Sequence, residues 1–308
     1  MSDVSRFEPA RKVADAVLYE GYLLYPYRAS STKNQIRWQF GVLTPRTWSD
    51  AGSGEPWASQ TECLIEPGAK TVVHLRARFL QVRAKIIEQA LDGVDGAFKP
   101  VPSLDVDGDA MLTWDDAEER EIDAVVTLTS ILDSEQVVPF DLPGDRTVES
   151  ISAANGQLVG RTVVQQWPLS GQLRISAERV EGPYGVVRLR VRLENVTGWN
   201  DPDKPRDEAL RRSFVAAHAL LSLDDGRFIS LLEHPEWAGY AVAECNNLHT
   251  YPVLVGENSQ RDLMLSSPLI LYDYPTIAPE SQGDLFDATE IDEILLLRTM
   301  TLTDDEKR

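Results

Sequence analysis

The clearest pattern in the chain is a strict alternation of apolar and polar side chains. Within Thr71–Arg83, the apolar residues Val73, Leu75, Ala77 and Phe79 alternate with His74, Arg76 and Arg78. A related alternation returns at Val186–Glu194. Such runs predict antiparallel strands with one wet face. Their similarity fits either equivalent strands of a duplicated sandwich or convergent patterning.

A second pattern covers the aromatic-rich stretch Leu18–Pro45. Its aromatic, β-branched and leucine content predicts two strands, Val17–Tyr25 and Ile36–Thr44, joined by a polar loop. Pro26 cannot donate a ladder hydrogen bond and is expected to end the first strand. The polar residues 1–15 are expected to form a loose lead-in.

Shorter patterns fill the middle of the chain. A strand at Thr61–Glu66 is expected to end at Pro67-Gly68, and Leu91–Glu121 reads as an acidic, turn-rich excursion. The remaining predicted strands are Ile122–Leu132, Gln136–Phe140, and a meander of Gln157–Trp167, Gly171–Val180 and Gly185–Val196.

The pattern becomes helical after Pro205. Leu210, Phe214, Ala217 and Leu221 share one face of a predicted amphipathic helix, Arg206–Leu221. The other predicted elements of this part are a short helix at Pro235–Ala243, extended segments at Pro252–Gly256 and Leu263–Leu271, and a helix at Asp284–Met300.

These elements predict a mainly β (α+β) fold of antiparallel sheets or β-sandwiches, with helices concentrated in the C-terminal third. The predicted regions are an N-terminal β region (1–90), the acidic excursion (91–121), a β meander (122–204) and a mixed helical region (205–308). The alternative is that the last region forms one continuous domain with 1–204.

Charge and cysteine content narrow the function classes. The 308 residues include 49 acidic and 30 basic side chains, giving a formal net charge of −19. This balance argues against non-specific nucleic-acid binding and against an anionic membrane surface. Two cysteines make no disulfide framework, and we find no apolar run of transmembrane length and no secretory signal. We therefore expect a cytoplasmic protein without membrane insertion.

One loop departs from the acidic balance. The stretch from Arg28 to Arg37 contains Lys33 and no acid, and Trp38 follows it. Such a loop could bind an anion, contact a partner, or neutralise an acidic patch of the same chain. Its most plausible internal counterpart is the acidic C-terminal helix.

The candidate metal ligands are Cys63, Cys245 and His249. A thiolate and an imidazole four residues apart could bind one side of a zinc ion, which Cys63 and His74 could complete. The alternative is a pair of buried, inert thiols, since no close Cys-x-x-Cys pair is present. Asp105–Asp109 similarly resembles a calcium loop but lacks the required glycine at the sixth position, which favours an exposed acidic turn.

Two further segments are candidates for protein contacts. Trp48 and Trp57 either fold back onto the sheet or form a surface for another protein. Asp284, Asp287 and Glu290 belong either to the solvated face of a closing helix or to a docking helix for a basic or metal-handling partner. No nucleophile elbow, phosphate loop or dinucleotide fingerprint is present, so no residue is predicted to be catalytic.

Several longer phrases carry a family resemblance. They are Leu18–Ser31, Arg37–Pro45, Gln60–Glu66, Leu271–Glu280 and Gly283–Leu295. With these phrases the chain resembles a family of actinobacterial-type proteins encoded beside nickel–iron hydrogenases, particularly uptake, high-affinity enzymes.

The resemblance implies an accessory protein that assists maturation, assembly or stabilisation of a hydrogenase, with a hydrogenase subunit or maturation factor as partner. It transfers no catalytic motif and implies no cofactor; the metal ion considered above is suggested by the cysteine and histidine residues alone. It does not extend to His249, where relatives are expected to carry another residue. The alternative function is a metal carrier or a small-molecule or anion-binding protein that uses the cysteines or the basic loop.

Overall fold

The computed structural model describes residues 6–19, 39–91, 96–201, 203–257 and 259–276. Strands dominate these residues. The strands are β1 (Ala58–Ala90), β2 (Phe98–Val101), β3 (Ser103–Val106), β4 (Asp109–Leu112), β5 (Trp114–Thr127), β6 (Gln136–Leu142), β7 (Asp145–Ser152), β8 (Leu158–Gln166), β9 (Leu169–Arg179), β10 (Val187–Asn195), β11 (Val215–Ile229), β12 (Tyr251–Leu254) and β13 (Leu263–Ser267). The helices are α1 (Glu8–Tyr19), α2 (Arg46–Trp48), α3 (Leu128–Asp133), α4 (Arg206–Leu210) and α5 (Gly239–Ala243).

The 33-residue strand β1 organises the sheet. Along one edge it pairs with β11 and then, nearer its end, with β8. Along the other edge it pairs in turn with β10, β5 and β2. Every pairing is antiparallel, and the register with β11 breaks between Pro67 and Val72. Pro67-Gly68 therefore marks a bulge, and the prediction that it ends the strand is wrong.

The sheet has eleven strands and branches at β1. Its main path runs β12-β13-β11-β1-β10-β9-β6, while β2, β5 and β8 pair with β1 and β7 pairs with β8. Strands β3 and β4 form a separate two-stranded hairpin. Because β1 carries β10 at its start and β5 further along, the β6-β9-β10 strands and the β5-β1-β11 strands pack on the two sides of one core.

The core is apolar and closely packed. The rings of Phe79 and Phe214 stack with their centroids 4.3 Å apart, and Phe140 lies 5.7 Å from Phe214. Gly171 lies against these rings, since a Cβ there would clash with both Phe140 and Phe214. The three rings therefore fix the spacing between the opposed layers of strands.

Helix α1 covers the outer face of the β1–β11–β13 strands. Its buried Ala10, Ala14 and Val17 pack with Leu220 and Leu265. This second layer explains why residues 77–82 of β1 are all buried, with the core on one face and the helix region on the other.

Three predictions near the N-terminus are corrected by the structure. The lead-in is not loose over its described part, because Glu8–Tyr19 is helical. The strand predicted at Val17–Tyr25 is helix as far as it is described, through Tyr19. Residues 39–44 form a single bridge, Leu43 to Phe214, in place of a strand. The remainder of the predicted hairpin lies outside the described residues.

Two predictions further along are also corrected. The helix predicted at Arg206–Leu221 ends at Leu210, and Val215–Ile229 forms strand β11. The acidic excursion Leu91–Glu121 contains the β3–β4 hairpin, but its last residues belong to β5 inside the main sheet. The predicted strand Ile122–Leu132 changes to helix α3 at Leu128.

The mainly β class with antiparallel sheets is confirmed. The strands predicted at Gln136–Phe140, Gly171–Val180 and Gly185–Val196 correspond to β6, β9 and β10. The two alternating runs lie in β1 and β10; β10 pairs with Ala58–Ile65 of β1, before the run Thr71–Arg83. No helix of the described residues is long and apolar enough to cross a membrane.

Candidate functional site

A groove lies beside the β9–β10 turn. One wall is the turn itself, Val180–Val186, and the other is the segment from Trp237 to Ala241. Gly182 and Gly185 have φ values of +140° and +65°, which only glycine adopts readily, so the sequence Gly-Pro-Tyr-Gly determines the shape of the turn. The opposite wall begins after Pro235 with a 3₁₀ turn, Glu236–Ala238, and continues as α5.

Exposed aromatic side chains line this groove. Tyr184 and Trp237 stack with ring centroids 4.3 Å apart and an interplanar angle of 28°. Their exposed fractions are 59% and 38%, and Tyr240 is 75% exposed. Large aromatic side chains exposed together favour a contact surface for another molecule.

The floor of the groove is held by the fold. Ala238 and Ala241 are buried with Val186, Leu64 and Ile229 in one apolar cluster. Because these residues come from β1, the start of β10, β11 and α5, both walls are anchored to the main sheet. The aromatic side chains are thus presented on a supported surface.

The surroundings of the groove are acidic. The two chain segments 178–188 and 231–245 carry five glutamates and two arginines. Arg188 bonds Glu178 and Glu244, each at 2.7 Å. A hydrogen bond to Glu244 and the nearby charge of Glu181 raise the pKa of Tyr240. The same bond, together with Arg188, lowers the pKa of Glu244.

A second polar region lies between α1 and the sheet. Arg78, with 3% of its side chain exposed, bonds Asp15 of α1 at 2.6 Å and also bonds Glu119. Burial opposes its charge, but these bonds outweigh burial and raise the pKa of Arg78. A small cavity of about 130 Å³ adjoins it, lined in part by Phe7 and Glu121. Since acids surround this guanidinium, the region holds α1 on the sheet and offers no open anion site.

His218 lies in the same layer, opposite Arg78 across the β1–β11 pairing. Its Nδ1 is 2.8 Å from the carbonyl oxygen of Ala216, and Nε2 has no hydrogen-bond partner among the described residues. Burial lowers the pKa of His218 to about 3. The imidazole is therefore neutral at physiological pH, which agrees with a core histidine and gives it no acid–base role there.

The predicted metal ligands lie in different surroundings, although Cys245 is close enough to Cys63 to add, after burial, to the rise in the Cys63 pKa. Cys63 is fully buried in the main core, and Cys245 is half-buried beside the groove floor, with both thiols free. Burial raises the pKa of Cys63 well above its usual range and that of Cys245 to about 11. His249 is exposed, and no three His, Cys, Asp or Glu side chains of the described residues are grouped to hold a metal ion. The metal site stays a prediction.

The predicted contact residues are distributed as follows. Trp48 is buried with Trp199 and Ala209, and its Nε1 donates to the Lys204 carbonyl at 3.0 Å, so its loop folds back onto the protein. Trp57 is half-buried, with the guanidinium of Arg46 4.6 Å from its ring centre. Seven other predicted residues lie outside the described residues: Arg28, Lys33, Arg37, Trp38, Asp284, Asp287 and Glu290.

The calcium-like segment is a tight turn between β3 and β4. Asp107 and Gly108 both have positive φ, and Asp105 accepts a hydrogen bond from the Gly108 amide. Asp107 bonds the amide of Ala154 at 2.6 Å. The carboxylates of Asp105 and Asp107 therefore accept hydrogen bonds from backbone amides, one within the turn and one from the nearby Ala154.

The aromatic groove was not predicted. In the sequence, Tyr184 falls between the predicted strands Gly171–Val180 and Gly185–Val196, and Trp237 and Tyr240 fall in the predicted short helix Pro235–Ala243. Their shared signal is an aromatic residue in a Gly/Pro-punctuated polar segment, although nothing local indicates that the two segments meet. Comparison with models of known protein families, and with curated proteins, finds no match to this chain.

Proposed function

We propose that this protein is a non-catalytic accessory protein that acts by binding another protein through the aromatic groove. The observation that carries the proposal is the trio Tyr184, Trp237 and Tyr240, exposed together on a floor anchored to the sheet. Tyrosine and tryptophan are enriched among residues that dominate protein–protein binding energy. The thiols of Cys63 and Cys245 have raised pKa values and the buried His218 is neutral, so none of these three side chains is activated as a nucleophile or base. This supports a non-catalytic role.

The partner is proposed from the family resemblance. Proteins of that family are encoded beside nickel–iron hydrogenases, so the partner is a hydrogenase subunit or one of its maturation factors. Binding there would assist maturation, assembly or stabilisation of the enzyme. The acidic surroundings of the groove support a partner surface that is basic at the point of contact.

The test is affinity purification of the tagged protein from a host that makes the hydrogenase. We expect hydrogenase subunits or maturation factors with the wild-type protein, and at least a tenfold loss with a Tyr184→Ala, Trp237→Ala double variant, because removing hot-spot residues costs at least about 2 kcal/mol. Tyr251→Ala is the matched control, since Tyr251 is 45% exposed on β12 outside the groove lining.

Two results would contradict the proposal. If wild-type protein retains no hydrogenase-related protein, the proposed partner is wrong. If the double variant, shown to be folded by circular dichroism, retains as much as Tyr251→Ala, the groove is not the contact surface.

A further inference from the structure

The groove also indicates what it binds, an inference that rests on the proposed function. We infer that the occupant is an extended segment of the partner carrying an arginine, whose guanidinium stacks on the Tyr184–Trp237 pair and is paired by Glu181.

The size of the groove suits one side chain. Its volume is about 180 Å³, whereas sites for drug-sized molecules are commonly about 300–1,000 Å³. The walls, a glycine-rich turn and a short helix, leave no long channel for a second helix. A single long side chain from an extended segment therefore fits better than a small-molecule ligand or a docked helix.

The rings favour a planar cation. Elsewhere in this protein, arginines lie over tryptophan rings: Arg46 over Trp57, Arg211 over Trp167 and Arg212 over Trp199, at 4.6–5.1 Å from the ring centres. Among the described residues no cation lies over Trp237, which stacks on Tyr184 and keeps 38% of its surface exposed. An arginine of another protein can therefore stack on Trp237 in the same way.

The charge favours arginine. Arg188 occupies Glu178 and Glu244, but Glu181, which lines the groove, makes no ion pair with any described residue. A guanidinium can stack on a ring and donate to a carboxylate at once, because its planar fork separates the two contacts. The ammonium of lysine has no such plane. Arginine therefore satisfies both the rings and Glu181.

The test uses purified protein and the peptide acetyl-Gly-Ser-Arg-Ser-Gly-amide. Matched peptides carry lysine or citrulline in place of arginine; citrulline keeps the shape and removes the charge. Binding is followed by NMR through the Trp237 indole N–H signal, assigned with Trp237→Leu. We expect saturable binding of the arginine peptide at millimolar concentration, at least about threefold weaker binding with lysine, and loss with citrulline.

Variants locate the site. Glu181→Gln should weaken the arginine peptide about threefold, while the control Glu149→Gln, an exposed acid on β7, should leave binding unchanged. Trp237→Leu keeps an apolar side chain but removes the π face. It should abolish binding measured by calorimetry while leaving the thermal unfolding temperature near that of wild type.

The inference is overturned if citrulline binds as well as arginine, if Trp237→Leu binds as well as wild type, or if the arginine peptide does not bind at all. Its failure is distinguishable from failure of the proposed function. Loss of the hydrogenase partner from the groove variant without arginine selectivity refutes only the occupant. Arginine-selective binding without co-purification refutes only the hydrogenase partner.

Discussion

His218 gives the chain a stability that depends on pH. Its imidazole is 3% exposed, and its Nδ1 faces a carbonyl oxygen, which can only accept. The neutral ring therefore carries its proton on Nδ1. Burial is the main cause that lowers the pKa of His218 from 6.5 to about 3; the nearby Arg78 acts in the same direction, and the bond to Ala216 opposes it.

The direction in which stability changes with pH follows from whether the folded or the unfolded chain binds the proton. Below pH 6.5 the imidazole of the unfolded chain takes up a proton, whereas the native imidazole does not until the pH approaches 3. Stability from the neutral ring is complete above pH 6.5 and is lost as the pH falls toward 3. The loss is about 1.4 kcal/mol per pH unit, so at about pH 5 it amounts to roughly 2 kcal/mol.

The assay is urea unfolding of wild type and His218→Asn at about pH 7.5 and about pH 5. Asparagine removes the titration and can still donate to the Ala216 carbonyl. The quantity compared is each protein's own change in unfolding free energy, so a uniform loss of stability in the variant does not matter. Wild type should lose roughly 2 kcal/mol more than the variant.

His249→Asn is the control, because it removes an exposed imidazole and leaves His218 in place. It should retain the wild-type loss. If wild type and His218→Asn lose the same free energy between the two pH values, the imidazole is not held neutral by burial and the reasoning is refuted.

Two other predictions concern the thiols and the core. Native Cys245 should be alkylated by iodoacetamide roughly 100-fold more slowly than a free thiol near pH 8, because its pKa is raised to about 11. Buried Cys63 should react only after the protein unfolds. Mass spectrometry of the labelled peptides measures both rates, and rapid labelling of Cys63 in the native protein would contradict its burial. Gly171→Ala should lower the unfolding free energy by roughly 1–3 kcal/mol, because the new Cβ clashes with phenylalanine rings. Gly198→Ala, where a Cβ meets open space, should change it by less than about 0.5 kcal/mol, and equal effects of the two would argue against the clash.

Strands with one wet face could be predicted from the sequence. β9 is an example, with buried residues alternating from Leu169 to Ile175. β11 could not, because Val215–Leu223 is buried on both faces, one against the core and one toward α1. Alternation vanishes in such a strand, and its apolar residues then match a helical spacing as well as an extended one.

The candidate site could not be predicted from local sequence patterns, for a different reason. The turn containing Tyr184 and the segment containing Trp237 are separated along the chain by β10, α4 and β11, and the pairing of β10 and β11 with β1 brings them together. Which residues meet across a sheet depends on strand order, and the local patterns of one sequence do not reveal that order. Each segment could be recognised as a turn or short helix, but the groove between them could not.

The length of β1 has a consequence for how the protein unfolds. Five strands are hydrogen-bonded to this one backbone, so freeing any stretch of it exposes unpaired amides and carbonyls on its neighbours as well. We expect the amides of β1 and its partners to exchange with deuterium together, as one cooperative unit, with no smaller opening of the middle of the sheet. A protease cut within 58–90 should accordingly be rare in the native protein and, once made, should unfold both layers together.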